Sequence, residues 1–159
     1  IKSINDKALR KKIAIIDSSC RLLGRTVFEA VSYSRKSEQR AKVQQVLDEL
    51  GLSDSLPLDF CIGEDSCRLS QGQYRLLLYA RAFLTQKPIL LIDEPFVHLD
   101  GTMKQTVLAY LNKLQRDRTL MLFASTSAPN DFNIDQKGTL SVSDHKEVNG
   151  EAINLFSSS

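Results

Sequence analysis

The chain has 159 residues and 17.9 kDa, enough for one domain that buries roughly two-thirds of its unfolded surface. It is 42% hydrophobic and 25% charged, with 21 Lys+Arg against 19 Asp+Glu. A formal charge of +2 argues against a nucleic-acid footprint, and no apolar run approaches the ~20 residues that a membrane-spanning helix needs. Three cysteines, Cys20, Cys61 and Cys67, form no C-x-x-C pair and have no nearby His. They support neither a disulfide framework nor a zinc site and suit a reducing compartment. The chain opens at Ile1 with no initiator Met, which suggests a piece of something longer.

In chain order, the basic residues Lys7, Arg10, Lys11 and Lys12 read as a solvated segment beside a strand. "KIAIID" (12–17) is a β-branched run of the kind that makes a buried parallel strand, followed by a loop at Ser18, Ser19 and Cys20. Val43, Val46, Leu47 and Leu50 recur at helical spacing, with Gly51 as the stop. Residues 52–68 carry Pro57, Gly63 and several Asp and Ser, and predict an irregular connection.

A second helix is predicted from Ser70, where Ser70 and Gln73 form a capping box. Leu76, Leu77, Ala80, Phe83 and Leu84 make one face until Lys87-Pro88 ends it. "ILLID" (89–93) is a strand, and Thr102 is expected to cap a helix carrying Met103, Val107, Tyr110, Leu111 and Leu114. "TLMLFA" (119–124) is a third strand, and "TLSVS" (139–143) is a candidate edge strand before a frayed "LFSSS". Strands alternating with helices predict an α/β fold with a mostly parallel sheet.

Two places carry chemistry. Asp93 and Glu94 stand just beyond the C-terminal end of a buried strand, where open α/β sheets bind ligands. The pair suits metal binding and polarisation of a water in phosphoryl transfer, and it also suits a strand that merely exits into a polar loop. The start of the Ser70 helix presents free N–H groups and a positive dipole end to an anion, and a plain cap explains the same residues. No glycine in the chain is followed by the Lys-Ser or Lys-Thr of a G-x-x-x-x-G-K-[ST] phosphate cradle.

Order and spacing join these pieces. "LSQGQ" (69–73), a helix with "YARAFL", "ILLIDEP" and "HLD" (98–100) run in one register. The arrangement resembles the ATP-binding cassette (ABC) ATPases, with their LSGGQ signature, Walker B segment and D-loop. The likeness covers about residues 8–127, and "ALRKKIAIIDSSCRLLGRTVFEAV" and "CIGEDSCRLSQGQ" give it an exporter-like flavour.

The resemblance implies a P-loop NTPase-like core with a helical subdomain, lacking the N-terminal part that carries Walker A. It divides the chain into a Q-loop strand region (1–20), a helical subdomain with the signature (21–86), Walker B, D-loop and switch (87–145), and a tail (146–159). It further implies ATP and Mg²⁺ as cofactors, with Asp93 at the metal and Glu94 as the catalytic Glu that polarises the attacking water. Leu69, Ser70, Gln71, Gly72, Gln73 and Asp100 fall at nucleotide-binding positions. Implied partners are a second cassette, paired head to tail so that Ser70 and Gly72 serve its nucleotide, and a membrane-spanning domain at whose cytoplasmic face the pair would sit. Nucleic acid is not among the expected partners.

The chain also departs from the pattern. Ser18 stands where the family has the Q-loop Gln and Ser125 where it has the switch His, and a Ser hydroxyl offers only one short donor and acceptor. His98 lies inside the D-loop, and His145 lies in a polar tail. Three readings follow: the larger part of an exporter ATPase domain, a degenerate cassette that lends its signature to an intact partner, or a soluble cassette of the chromosome-maintenance or DNA-repair kind. The last would have a long coiled coil ahead of the signature, where this chain has a Q-loop-like strand. Without the strand that carries Walker A, the chain is also expected to expose strand edges and to aggregate or borrow a strand.

Overall fold

The structure, a computed structural model, describes residues 6–34, 36–62, 69–116 and 120–124. Three strands, β1 (Ile13–Ile16), β2 (Ile89–Asp93) and β3 (Leu120–Ala124), form a parallel sheet in that order. Ile16 pairs with Ile92, and Asp93 pairs with Ala124, so all three strands end at one edge. All three predicted strands are present; the candidate strand at 139–143 lies outside the described residues.

Among the described residues five α-helices accompany the sheet: α1 (Asp6–Arg10), α2 (Val27–Ser32), α3 (Arg40–Glu49), α4 (Gln71–Leu84) and α5 (Gly101–Arg116). The basic run beside β1 is therefore partly a short helix. Helix α2 is only six residues long, too short for a periodic signal, and is fixed at its ends instead. Thr26 Oγ1 accepts from the Glu29 N–H, which satisfies one of the helix's orphan donors, and Glu29 Oε2 reaches back to accept from the Arg25 N–H just ahead of the cap.

Helix α3 buries the four predicted residues and ends in a Schellman motif. Gly51 lies at φ 66°, a left-handed conformation that costs a glycine nothing. The Leu52 N–H donates to the Leu47 carbonyl and the Gly51 N–H to the Asp48 carbonyl. Residues 52–62 are irregular, as expected, and hold the start of α2: the Val27 and Phe28 N–H groups donate to the Phe60 and Leu58 carbonyls, beside an isolated bridge between Thr26 and Cys61.

Helix α4 is the pillar of the molecule. It packs on α2 and α3 on one side and on β1 and α5 on the other, so one hydrophobic cluster runs from Val43 and Leu47 through Leu77 to Leu90 and Ile92. Burying each Leu of this cluster contributes about 1.5–3 kcal/mol. Because α4 is enclosed on nearly every side, Arg75, Leu78, Tyr79 and Ala82 are buried along with the predicted stripe as far as Phe83, and Leu84 is half-buried. It ends at Leu84, three residues before the expected Lys87-Pro88 stop, with Gln86 turning left-handed at φ 46°. Lys87 Nζ then donates to the Arg10 and Ile13 carbonyls and ties the α4–β2 connection to β1.

The predicted face of α5 is borne out, with Val107 and Leu111 buried and Met103, Tyr110 and Leu114 half-buried against the cluster. Its cap is not the predicted one. Asp100 Oδ1 accepts from the Met103 N–H at 2.9 Å, so the carboxylate before Gly101 caps the helix and Thr102 lies within the first turn. Phe83 stacks on Tyr110 with ring centroids 4.1 Å apart, and Lys113 Nζ donates to both oxygens of Glu49, at 3.0 and 2.8 Å, joining α5 to α3.

The hydrogen bond from Lys113 holds the Glu49 carboxyl below its usual range against the upward pull of burial. A lowered carboxyl stabilises the fold above its unfolded value, and that stabilisation is lost as pH falls through the folded value. Lys113→Met should raise the Glu49 midpoint in a carboxyl NMR titration and cost about 0.5 kcal/mol at neutral pH. The cost should vanish in acid; an unmoved midpoint would refute the pairing.

Candidate functional site

The shared end of the three strands gathers the residues singled out by sequence. After β1, Asp17 Oδ1 accepts from the Ser19 N–H (2.8 Å), the Ser19 hydroxyl (2.7 Å) and the Cys20 N–H (2.9 Å). These bonds, Ser19 foremost, keep the Asp17 carboxyl below its usual range. Ser18 sits exposed at the top of this turn, where a longer side chain is not needed to close it. Tyr74 pins the loop to α4: its hydroxyl accepts from the Leu22 N–H at 3.1 Å and donates to the Cys20 carbonyl at 3.3 Å.

At the start of α4 the predicted capping box is complete. The Gln73 N–H donates to Ser70 Oγ at 3.1 Å, and the Ser70 N–H donates to Gln73 Oε1 at 3.0 Å. Ser70 and Gln71 are exposed, Leu69 is half-buried, and Gly72 is buried inside the first turn of the helix rather than ahead of it. A Cβ on Gly72 would lie 2.7 Å from Met103 Sδ and 3.0 Å from the His98 carbonyl oxygen. That close approach brings the "LSQGQ" segment directly onto the "HLD" segment and the first turn of α5.

Asp93 ends β2 with its side chain exposed, and Glu94, half-buried, lies at φ 48°. A non-glycine residue in the left-handed region costs about 1 kcal/mol and persists only where its surroundings hold it. Helix α4 supplies the hold. Arg75 Nη2 donates to the Asp93 carbonyl at 2.5 Å and to the Glu94 carbonyl at 2.8 Å, and the Tyr79 hydroxyl donates to the Pro95 carbonyl at 2.5 Å.

Arg75 and Tyr79 lie one helical turn apart, with the guanidinium carbon 5.7 Å from the Tyr79 ring centre. Burial pushes the Tyr79 phenol well above its usual value despite Arg75 beside it, so it remains a neutral donor. Arg75 Nε is buried without a hydrogen-bond partner. Leaving such a donor unpaired costs about 1–3 kcal/mol, so the charge-assisted bonds at Nη2 must outweigh it.

The sequence reading missed Arg75, Tyr79 and Tyr74. Their signal was present as three polar-tipped side chains inside a leucine-rich helix, where burial demands a partner for each. His98 is exposed and left-handed at φ 64°. Ser125 follows directly on Ala124, the partner of Asp93, and lies with His145 outside the described residues. Among the described residues no group of three or more His, Cys, Asp or Glu could hold a metal ion.

A parallel α/β sheet with paired acids at the end of its second strand and a capped helix beside them defines a P-loop NTPase-like core. A family model described as ABC transporter matches residues 1–97, more than half of the chain, and the chain belongs to that family. It is 32% identical over 124 residues to the "ATP-dependent lipid A-core flippase" of Pectobacterium atrosepticum, a match covering 74% of this chain and 21% of that protein. It is 30% identical over 125 residues to the "Glutathione/L-cysteine transport system ATP-binding/permease protein CydC" of Escherichia coli (strain K12), covering 77% and 22%. The chain thus spans about a fifth of the length of these relatives. The fold is similar to part of a bacterial Atm1-family ABC exporter solved with ATP bound, at a TM-score of 0.65 and 24% identity over 77% of this chain and 22% of that one.

Proposed function

We propose that this chain is part of the nucleotide-binding domain of an exporter-type ABC transporter, coupling ATP binding and hydrolysis to transport across a membrane. The observation that carries the reading is the close packing of two motifs in one body. Gly72 of "LSQGQ" meets the carbonyl of His98 in "HLD", and the same helix holds the backbone of Asp93 and Glu94.

In this reading Asp93 contributes a carboxylate to Mg²⁺, whose charge would neutralise the phosphates of ATP. Glu94 accepts a hydrogen bond from the attacking water and orients it. Ser70 and Gly72, between Leu69 and Gln73 and with Gln71 exposed beside them, present the start of α4 to the nucleotide of a second cassette. Asp100, holding the first turn of α5, sets the segment that faces that cassette. The region after β1 would meet a membrane-spanning domain on the cytoplasmic side, and the chain would divide into a core (1–20 and 87–145), a helical subdomain (21–86) and a tail (146–159). No helix among the described residues is long and apolar enough to cross a membrane, so transport would run through that partner.

A second reading is favoured by Ser18 and Ser125: a degenerate cassette that lends its signature to an intact partner and does not itself turn over ATP. One comparison tests the proposal and separates the two readings. The full-length gene product, in membranes, is expected to hydrolyse ATP, and the 159-residue chain alone to do so negligibly, because positioning of the triphosphate supplies nearly all the catalysis. Phosphate release by the chain alone, abolished by Glu94→Gln, would contradict the need for a phosphate cradle. A full-length protein that neither binds nor hydrolyses ATP, alone or with other cassettes, would sink both readings.

A further inference from the structure

The two donors that α4 aims at the acidic turn have a consequence for activity. Three consecutive carbonyls, those of Asp93, Glu94 and Pro95, are all taken by side chains from one face of α4. With its carbonyls fixed on that side, the turn keeps Glu94 left-handed and leaves the Asp93 carboxylate exposed at the strand end. The first turn of the same helix carries Ser70 and Gly72 and rests on the His98 carbonyl. Neither donor has slack, since Arg75 is 6% exposed and Tyr79 is fully buried.

We infer that Arg75 and Tyr79 are positioning residues: they lock the Asp93–Glu94–Pro95 backbone to α4, so that the acids and the Ser70 end of the helix move as one piece. The inference rests on the proposed roles of Asp93 and Glu94 for its effect on activity, but not for the clamp itself.

Tyr79→Phe removes one hydroxyl and keeps the ring, and Arg75→Lys keeps the charge but gives up the planar fork that reaches two carbonyls. Both are made in the full-length gene product and read by amide hydrogen exchange and by ATP turnover. In Tyr79→Phe the amides of residues 96–99 should exchange about tenfold faster, while those of α4 stay within about twofold, because one net hydrogen bond is lost locally. The kcat should fall about tenfold with KM for MgATP within about twofold, and Arg75→Lys should retain part of the activity that Arg75→Met loses. Adding Tyr79→Phe to Glu94→Gln should cost nothing further, since the clamp acts through Glu94.

Unchanged exchange at 96–99 overturns the inference whatever the kinetics. Faster exchange with undiminished kcat, alongside a Glu94→Gln variant that is inactive, overturns the positioning role. If Glu94→Gln itself turns over ATP at the full rate, the proposed function fails, and faster exchange confined to 96–99 still supports the clamp.

Discussion

Replacing Glu94 with Gln in the full-length gene product is expected to lower ATP turnover by about 10²–10⁴-fold while leaving nucleotide affinity nearly unchanged. The range is what a positioned base contributes, equivalent to about 3–5.5 kcal/mol of barrier. Gln has the same shape and can still contact water, but it cannot take up a proton. The fold should survive the change, because the turn is held by main-chain carbonyls bonded to Arg75 and Tyr79 and not by the Glu94 carboxylate alone. Steady-state hydrolysis, ATP binding and a melting curve check the three parts. A loss of melting temperature matching the loss of rate would show that Glu94 is structural.

Gly72→Val should do its damage by a different route, through stability. Even the first carbon of a side chain would lie 2.7 Å from Met103 Sδ and 3.0 Å from the His98 carbonyl oxygen. Met103 can swing aside, but the carbonyl belongs to a backbone already left-handed at His98, so α4 and the segment before α5 must part. Overpacking of this kind costs about 1–3 kcal/mol. Gly72→Ala should sit at the low end, because Met103 takes up most of the clash. Denaturant melts of both variants check the order, and Val tolerated as well as Ala would contradict the close approach.

These two effects have different reach. Glu94→Gln acts on the chain's own acids, whereas Gly72→Val disturbs the start of α4, which in the proposed assembly serves a partner. In a heterodimer with one intact cassette, Gly72→Val should therefore slow the partner's site.

How much of this was legible in the sequence depends on the physics of each element. The strands read correctly because each is an apolar run bounded by polar turns, and α3 read correctly because a solvated helix shows its stripe. Helix α4 read only in part. Enclosed between α2, α3 and the sheet, it buries nearly all its faces, and a stripe drawn by apolarity passed over Arg75 and Tyr79, which matter for the acidic turn. Helix α2 is too short for periodicity, and its start rests on Thr26 and Glu29. The capping error at α5 arose because Asp100 and Thr102 can both cap, and local sequence does not choose between them; the residue before Gly101 won. The order of "LSQGQ", "ILLIDEP" and "HLD" was legible because it lies in one continuous stretch. The contact between Gly72 and His98 was not, since packing across 26 residues leaves no periodic trace.

The most direct test of the account is a structure of the full-length Glu94→Gln protein with ATP and Mg²⁺. The account predicts Mg²⁺ beside the Asp93 carboxylate and the side chain at 94 facing the γ-phosphate of one nucleotide, with Ser70 at the γ-phosphate of the nucleotide across the cassette interface. A nucleotide bound away from both Ser70 and Asp93 would contradict it.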